Sequence, residues 1–232
     1  AHGYLVAEFM STYANKRTDE FGGTFINRMR FPLAIVRGIH EQVDNAYPII
    51  FRISGDEKVP GGRTIDETRA IARCLQEAGV NAMHITASVY GSSSWLWAPT
   101  ETRPAYLANL AEEVKKSVTI PVITVGRYTD PFVAEDVLLT GKADMISLGR
   151  QSLTDPEFPN KVAGNKIEEI APCIACHQGC AENIFNGKPL TCVVNPFVGK
   201  EKTRTIQETD TPKKVMIIGG GPAGLEAAWI AG

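Results

Sequence analysis

Four of the five cysteines lie close together, and their spacing is the feature of this sequence with the clearest chemistry. Cys173, Cys176, Cys180 and Cys192 follow the pattern C-x2-C-x3-C-x11-C. Four thiolates can ligate an iron–sulfur cluster, and three close cysteines with a distant fourth are typical of such sites. A structural zinc site also takes four cysteines, although it more often uses two C-x2-C pairs. The pattern favours a [4Fe–4S] cluster over zinc, while Cys74, alone in a helical stretch, is predicted to be a small buried side chain.

A glycine-rich segment near the end of the chain is a second candidate binding motif. Residues 215–224 have the pattern of a strand, then G-x-G-x-x-G, then the start of a helix, with glycines at Gly219, Gly221 and Gly224. The first glycine permits a tight turn, the second lets a pyrophosphate approach the backbone, and the third lets the helix pack on the strand. The segment predicts the start of a Rossmann-like domain, and a plain glycine-rich turn is the alternative.

Two predicted strands end in the same dipeptide, in a manner typical of a phosphate site. Gly126-Arg127 and Gly149-Arg150 each follow a short apolar run. Glycine leaves backbone N–H groups accessible, and arginine adds charge-assisted hydrogen bonds to phosphate oxygens. Loops after the last two strands of a (β/α)8 barrel commonly bind a phosphate. These pairs predict phosphate-binding loops, and two unrelated surface arginines at helix starts are the alternative.

Three further polar side chains are candidates for a site. Arg52 lies within an apolar strand, where an arginine is costly unless it is paired. A position at the mouth of a barrel, holding developing negative charge on a ligand, would explain it, and a salt bridge to a carboxylate is the alternative. His2 and Tyr4 are two residues apart, so they would point the same way on a strand. Alone, they are better explained as two ordinary half-buried aromatic side chains.

The elements that would position these residues alternate between buried strands and amphipathic helices, which is typical of a parallel sheet built from βα units. Each strand runs at its carboxyl end into polar or glycine-containing sequence. All such ends share one mouth in a barrel but not in a doubly wound sheet, so the pattern favours the barrel. Because a whole barrel needs about 250 residues, we expect its C-terminal half. The predicted strands are 49–53, 82–86, 122–125 and 145–148, and the predicted helices are 27–43, 65–78, 105–117, 131–140 and 156–163.

The composition argues against several classes of protein. Lys and Arg number 24 and Asp and Glu 26 among 232 residues, whereas nucleic-acid binders usually carry a basic excess. Hydrophobic residues make up 44%, as in a folded globular protein. The sequence contains no uninterrupted apolar run of about 18 residues, the length that predicts a membrane span. No signal peptide is visible. We expect a cytoplasmic protein without a nucleic-acid or membrane partner, and a partial chain, since it starts without Met and stops inside a predicted helix.

Together these motifs resemble the iron–sulfur branch of the old yellow enzyme family, which includes enoate reductases, 2,4-dienoyl-CoA reductases and trimethylamine dehydrogenases. The resemblance runs over nearly the whole chain and includes both Gly-Arg pairs and the cysteine pattern. Further matching stretches are His2-Gly3-Tyr4-Leu5, residues 15–23, Asn27-Arg28 and residues 192–196.

The resemblance implies a role for each candidate residue. Arg52 would lie beside the N1–C2 carbonyl edge of FMN and stabilise its reduced, anionic form. Tyr4 resembles the family's proton donor, and His2 resembles a residue that binds the activating oxygen of the substrate. By the same resemblance the FMN phosphate is assigned to Gly126, Arg127, Gly149 and Arg150, the [4Fe–4S] cluster to Cys173, Cys176, Cys180 and Cys192, and FAD to Gly219, Gly221 and Gly224.

The resemblance also implies an activity and a division of the chain. Electrons would pass from NAD(P)H through FAD, the cluster and FMN to the C=C bond of an activated alkene, a small-molecule substrate. Residues 1–168 would form the C-terminal half of an FMN-binding TIM barrel, residues 169–212 the iron–sulfur segment and linker, and residues 213–232 the start of a domain that binds FAD or NAD. A homo-oligomer is expected at full length.

The sequence departs from the dienoyl-CoA reductases where Tyr90-Gly91-Ser92 occupies the region of their pocket histidine. Trp95 and Trp97 follow, and this aromatic loop either walls a pocket or packs on neighbouring loops. Amine dehydrogenases of the family use an aromatic bowl for a cationic substrate. Over the whole set of motifs, an enoate-type reductase is the leading hypothesis. An amine dehydrogenase and a non-catalytic, metal-stapled binding module are the alternatives.

Overall fold

Four parallel strands form the centre of the molecule. The computed structural model describes residues 3–43 and 47–232. The strands lie side by side in chain order, β1-β2-β3-β4, without the reversal of order that marks a doubly wound sheet. Their bounds are Ile50–Ser54 (β1), Ala82–Thr86 (β2), Val122–Val125 (β3) and Met145–Ser147 (β4). The protein therefore has an α/β fold with a parallel sheet, consistent with a TIM-barrel-like domain.

Helices connect these strands and continue beyond them. Two short 3-10 helices, Tyr90–Trp95 and Ile167–Glu169, lie in the loops. The α-helices are Leu5–Met10 (α1), Phe25–Val43 (α2), Ile65–Glu77 (α3), Ala108–Lys115 (α4), Pro131–Leu139 (α5), Arg150–Thr154 (α6), Phe158–Ala163 (α7), Ala181–Phe185 (α8) and Pro222–Ala231 (α9). Within the described residues, no helix is both long and apolar enough to cross a membrane.

One hydrophobic core joins helices α1 to α5 to a single face of the sheet. Ile53, Met83, Ile85 and Val122 are fully buried in this core. Because side chains alternate between the two faces of a strand, their neighbours along each strand point to the other face. This second face, called the inner face of the sheet, carries polar groups and leaves Ile50 58% exposed. It is therefore the face available for a ligand.

The four strands confirm the prediction to within one residue at each end, since buried parallel strands show up in a sequence as continuous apolar runs. The prediction of a strand over residues 214–218 is wrong. This segment forms no ladder hydrogen bonds, because a strand needs a neighbour to pair with and no described segment pairs with it. Cys74 is half-buried against the core, where burial raises the pKa of its thiol.

Candidate functional site

The carboxyl ends of all four strands open into one cleft of about 420 Å³. Residues predicted from widely separated motifs meet here, although they come from three different strand ends and from the start of the chain. Those lining the cleft are Tyr4, Arg52, Gly126, Arg127, Gly149 and Arg150. His2, the remaining predicted catalytic residue, lies outside the described residues.

Arg52 projects from the inner face of β1 into this cleft. It pairs in register with His84 of β2, so the two side chains lie next to each other on that face. Burial, and then the charge of Arg52, lower the pKa of His84 to about 4. Burial also lowers the pKa of the Arg52 guanidinium, and no described carboxylate raises it. The salt-bridge alternative for Arg52 therefore finds no partner in the described part of the chain, and its positive charge faces the cleft.

The first Gly-Arg pair forms a strained turn at the end of β3. Gly126 has φ +142°, and a Cβ there would come within 3.0 Å of the Tyr106 ring, so only glycine fits without displacement. Arg127 follows at φ +56°, and its Nη1 donates to the carbonyl oxygens of Thr100, at 2.6 Å, and Thr102. Its Nε is buried, and no hydrogen-bond acceptor for it occurs among the described residues. The turn thus brings backbone N–H groups and a cationic side chain to the cleft.

The second pair connects the cleft to the cysteine loop. Gly149 is the residue before α6, and a Cβ at this position would meet no atom within 4 Å. Arg150 donates through Nη2 to the carbonyl of Ala98 at 2.9 Å, and its Nη1 contacts Nε2 of His177. Burial, and then the charge of Arg150, lower the pKa of His177, which favours the neutral ring that can accept this hydrogen bond. Arg150 is therefore held between the sheet and the loop.

Tyr4 stands at the rim of the cleft, immediately before α1. Its side chain is 58% exposed, and its ring meets that of Tyr90 edge-to-face, with 5.6 Å between centroids. Hydrogen bonding with Tyr4, followed by burial, raises the pKa of the Tyr90 hydroxyl. A phenol that faces both solvent and cleft is able to donate a proton to a bound molecule.

The aromatic loop forms part of the cleft wall, as one of its two interpretations predicted. Trp95 and Trp97 both line the cleft. The ammonium group of Lys58 lies 5.1 Å from the centre of the Trp95 ring. The rings of Trp97 and Phe185 meet edge-to-face, with 6.0 Å between their centroids. The loop therefore does both things that were considered, because one face of it borders the cleft while another packs on the cysteine loop.

The sequence did not single out every residue of the cleft. Tyr106 donates from its hydroxyl to the carbonyl of Trp95 at 2.8 Å, and burial raises its pKa. Tyr128 and Gln151 also line the cleft. Both residues lie next to a predicted strand–helix junction. This position at the carboxyl edge of the sheet is the sequence feature that could have identified them as part of the site.

The four clustered cysteines surround a second, smaller cavity. Two of them, Cys173 and Cys180, also line the cleft, so the cavities share part of one wall. The Cys192 sulfur accepts a hydrogen bond from the Val194 N–H at 3.4 Å. Within the described residues, no three Cys, His, Asp or Glu side chains converge on a position for a single metal ion. The sulfur atoms thus surround a space without closing on one point.

A glycine fixes the shape of this cysteine loop. A Cβ on Gly179 would lie 2.6 Å from the carbonyl oxygen of Thr191, which real Cβ atoms do not tolerate. The N–H of Thr191 donates to the carbonyl of Gly179 at 2.8 Å. This contact joins the two residues that directly precede Cys180 and Cys192. It therefore brings the distant fourth cysteine close to the other three.

The glycine motif forms a turn and a helix. Gly219 has φ +105°, and helix α9 begins at Pro222. A Cβ on Gly224 would lie 1.9 Å from the carbonyl oxygen of Gly219. The third glycine is therefore required for the helix to approach the turn, as the motif predicts. The apolar side chains of Met216 and Ile218 before the turn are exposed.

A parallel sheet whose strand ends bring arginines and glycine N–H groups into one cleft is the arrangement of α/β proteins that bind an anionic ligand at the carboxyl edge. Residues 1–169 match the NADH:flavin oxidoreductase / NADH oxidase family, and the chain belongs to that family. This confirms the resemblance seen in the sequence.

Similarity to individual relatives continues past residue 169, where the family match ends. An NADH oxidase from Thermoanaerobacter brockii is 46% identical over 230 residues, covering 98% of this chain and 35% of the oxidase. A cinnamate reductase from Clostridium sporogenes is 36% identical, covering 99% of this chain and 36% of the reductase. A solved 2-naphthoyl-CoA reductase complex superposes with a TM-score of 0.94 at 35% identity, covering 99% of this chain and 35% of that one. The chain thus spans about a third of the relatives it matches.

Proposed function

We propose that this chain supplies the FMN-facing and cysteine-bearing part of an NAD(P)H-dependent oxidoreductase that reduces the C=C bond of an activated alkene. The substrate class is an enoate, an enone or an enoyl thioester. The observation that carries the proposal is the shared wall, through which the arginine-lined cleft adjoins the four-cysteine cavity. The likeness to a cinnamate reductase and a 2-naphthoyl-CoA reductase supports the substrate class.

The cleft fits FMN in its charge and its shape. Gly126 provides a turn that a Cβ would fill, and Gly149, after the neighbouring strand, offers open backbone. Together with Arg127 and Arg150 these glycines would hold the phosphate. The charge of Arg52, which no described carboxylate neutralises, would face the end of the flavin that becomes anionic. Membership of a family named for NADH and a flavin supports the same cofactor.

The cysteine cavity fits a cluster in its donor set. Cys173, Cys176, Cys180 and Cys192 all line one cavity. Four thiolates around a larger group are the ligand set of a [4Fe–4S] cluster. The third part of the proposal is FAD, for which Gly219, Gly221 and Gly224 would form the pyrophosphate turn.

The proposed division of the chain follows from these sites. Residues 1–168 are the C-terminal half of an FMN-binding barrel, residues 169–212 carry the cluster, and residues 213–232 begin the nucleotide-binding domain. When bound, FMN supplies hydride transfer and the cluster supplies one-electron transfer. The chain's own residues bind and orient these groups and the substrate.

The proton required for alkene reduction is assigned to Tyr4. Its hydroxyl lies at the cleft rim and stays open to solvent, from which it can be reprotonated. The packing of its ring against Tyr90 fixes the direction of the hydroxyl. His2 is proposed to bind the activating oxygen of the substrate, where a hydrogen bond stabilises the negative charge that develops.

Amine oxidation is the second candidate, favoured by one observation. Trp95 and Trp97 both line the cleft. An aromatic side chain that borders the cleft could hold a cationic amine through its ring face. A tertiary amine and an enone, offered separately to the same preparation, distinguish the two reactions.

The proposal is tested on the full-length gene product that contains this sequence, purified without oxygen. We expect FMN, FAD, four irons and about four labile sulfides per chain, together with NAD(P)H-dependent reduction of an enone. Cys192→Ser should lose the cluster, whereas the matched variant Cys74→Ser should keep it, because Cys74 lies in helix α3 outside the cavity. Zinc without sulfide would contradict the cluster, and turnover of the amine alone would favour the second candidate.

A further inference from the structure

The side chain of Gln151 links the cleft to the segment that carries Cys173. It is only 3% exposed and lines the cleft one residue after Arg150. Its Oε1 accepts a hydrogen bond from the backbone N–H of Cys173 at 2.9 Å, and its Nε2 donates to the carbonyl of Ala171 at 3.0 Å. One neutral side chain therefore reaches from the proposed phosphate helix to the first cysteine of the cluster loop.

The orientation of this amide is fixed by its two partners. A backbone N–H can only donate and a carbonyl can only accept, so the oxygen must face Cys173 and the nitrogen must face Ala171. The Gln151 side chain is buried and both bonds are part-buried, so an N–H that lost its acceptor there would be poorly compensated by water. No other amino acid of similar size satisfies both partners without carrying an ionisable group.

Asp155 completes the arrangement at the carboxyl end of α6, as the residue that directly follows this helix. Its Oδ2 accepts from the N–H of Ala171 at 2.9 Å and from the ammonium of Lys161 at 2.7 Å. The two side chains thus pair with the backbone of residues 171–173 as a neighbouring strand would. The segment that leads to Cys173 is held by helix side chains, since no strand lies beside it.

We propose that Gln151 is a positioning residue that fixes the backbone at Cys173 and thereby sets the reduction potential of the cluster. This inference rests on the proposed function, because it requires the four cysteines to hold the cluster. The potential of such a cluster depends on hydrogen bonds to its sulfur atoms and on its exposure to solvent. Gln151 controls both, since it occupies the Cys173 N–H and closes the loop against α6.

The test compares Gln151→Leu with the unaltered full-length protein in a redox titration followed by electron paramagnetic resonance. Leucine removes both hydrogen bonds, so the freed Cys173 N–H turns to sulfur or water and the potential rises. Iron is also lost faster to a chelator, while the FMN content is retained. Gln151→Ser, a smaller change that removes both bonds, serves the same test if leucine prevents folding.

Two further variants separate the proposed role from general destabilisation. Gln76 makes a comparable bond, accepting from the Thr119 N–H at 2.7 Å, but lies away from both cavities. Gln76→Leu should therefore leave the potential unchanged. Gln151→Glu keeps an acceptor for the Cys173 N–H in either protonation state, so its potential should not rise.

The results that overturn the inference are specific. An unchanged potential in Gln151→Leu, or an equal rise in Gln151→Glu, shows that the Cys173 hydrogen bond does not control the cluster. A similar rise in Gln76→Leu assigns the effect to lost stability. Absence of labile sulfide from the unaltered protein contradicts the proposed function itself, which is a different outcome from a cluster that the variants leave unaffected.

Discussion

At the scale of single residues, Tyr4 is the side chain whose chemistry can be separated from its packing. Tyr4→Phe removes the hydroxyl and leaves the ring that meets Tyr90 edge-to-face. A general acid contributes about 10²- to 10⁴-fold, so reduction of the alkene should slow by that factor. Stopped-flow kinetics on the full-length protein should show flavin reduction by NAD(P)H unchanged. Equal slowing of both half-reactions would indicate damage to the fold and contradict the role of Tyr4 as proton donor.

Gly126 gives a second prediction at this scale. Gly126→Ala places a Cβ within 3.0 Å of the Tyr106 ring at φ +142°, so it should destabilise the protein by about 1–3 kcal/mol and weaken flavin retention. Gly38→Ala is the matched control, because a Cβ there meets no atom within 4 Å inside helix α2. It should stabilise the protein by up to about 1 kcal/mol. Denaturant unfolding followed by tryptophan fluorescence measures both, and shifts of the same sign would contradict the prediction.

At the scale of elements, one buried carboxylate joins the segments around the cleft. Glu57 follows β1, is fully buried and forms an ion pair with Arg63, which is equally buried. Its Oε2 accepts from the Ser11 hydroxyl after α1 at 2.7 Å, and its carbonyl accepts from the Ser92 hydroxyl beside Tyr90 at 2.6 Å. The segments that carry Tyr4, Arg52 and Tyr90 therefore share one anchor.

Breaking this anchor should be costly. Glu57→Ala leaves the Arg63 charge buried without its partner, so the free energy of unfolding should fall by about 3–5 kcal/mol. Asp19→Ala, which breaks the exposed Arg17–Asp19 pair, should change the free energy of unfolding far less, because solvent screens exposed charges. Urea titration of the full-length protein compares the two. Losses of similar size would mean that burial does not distinguish these pairs.

The elements also show which features a sequence can predict. The strands were predicted almost to the residue because their apolar runs are continuous. Helix α4 begins at Ala108, three residues later than predicted, since Ala105 adopts φ +54° and cannot belong to a helix. Short α6 was not predicted, because a five-residue helix depends on packing rather than on its own sequence. The bond from Gln151 to Cys173 joins residues 22 apart, and no local pattern encodes it.

At the scale of the whole molecule, the sheet has two open edges. Among the described residues, β1 pairs only with β2 and β4 only with β3. Ile50 and Met145, on the inner face, are 58% and 43% exposed. Open edges and apolar surface favour pairing with other chains. The isolated 232-residue chain should therefore associate and bind FMN weakly.

Sedimentation velocity over a range of concentrations tests this expectation. Ile50→Lys should reduce association, since it places a charge on an edge strand. Phe132→Lys is the control, because Phe132 is 69% exposed on helix α5 and lies away from the sheet edges. A monomer that holds flavin tightly would contradict the prediction.

If the cleft holds FMN and the cysteine cavity holds a cluster, as proposed, the wall that the two cavities share would couple the lifetimes of both cofactors. Cys173 and Cys180 border both spaces. Exposure to air converts such sulfur atoms stepwise to bulkier, charged oxyacids. Oxidation that begins at the cluster would therefore also change the wall of the cleft, because the same two cysteines border both spaces. Under the proposed function, loss of the cluster and loss of FMN should therefore proceed together when the protein is exposed to air.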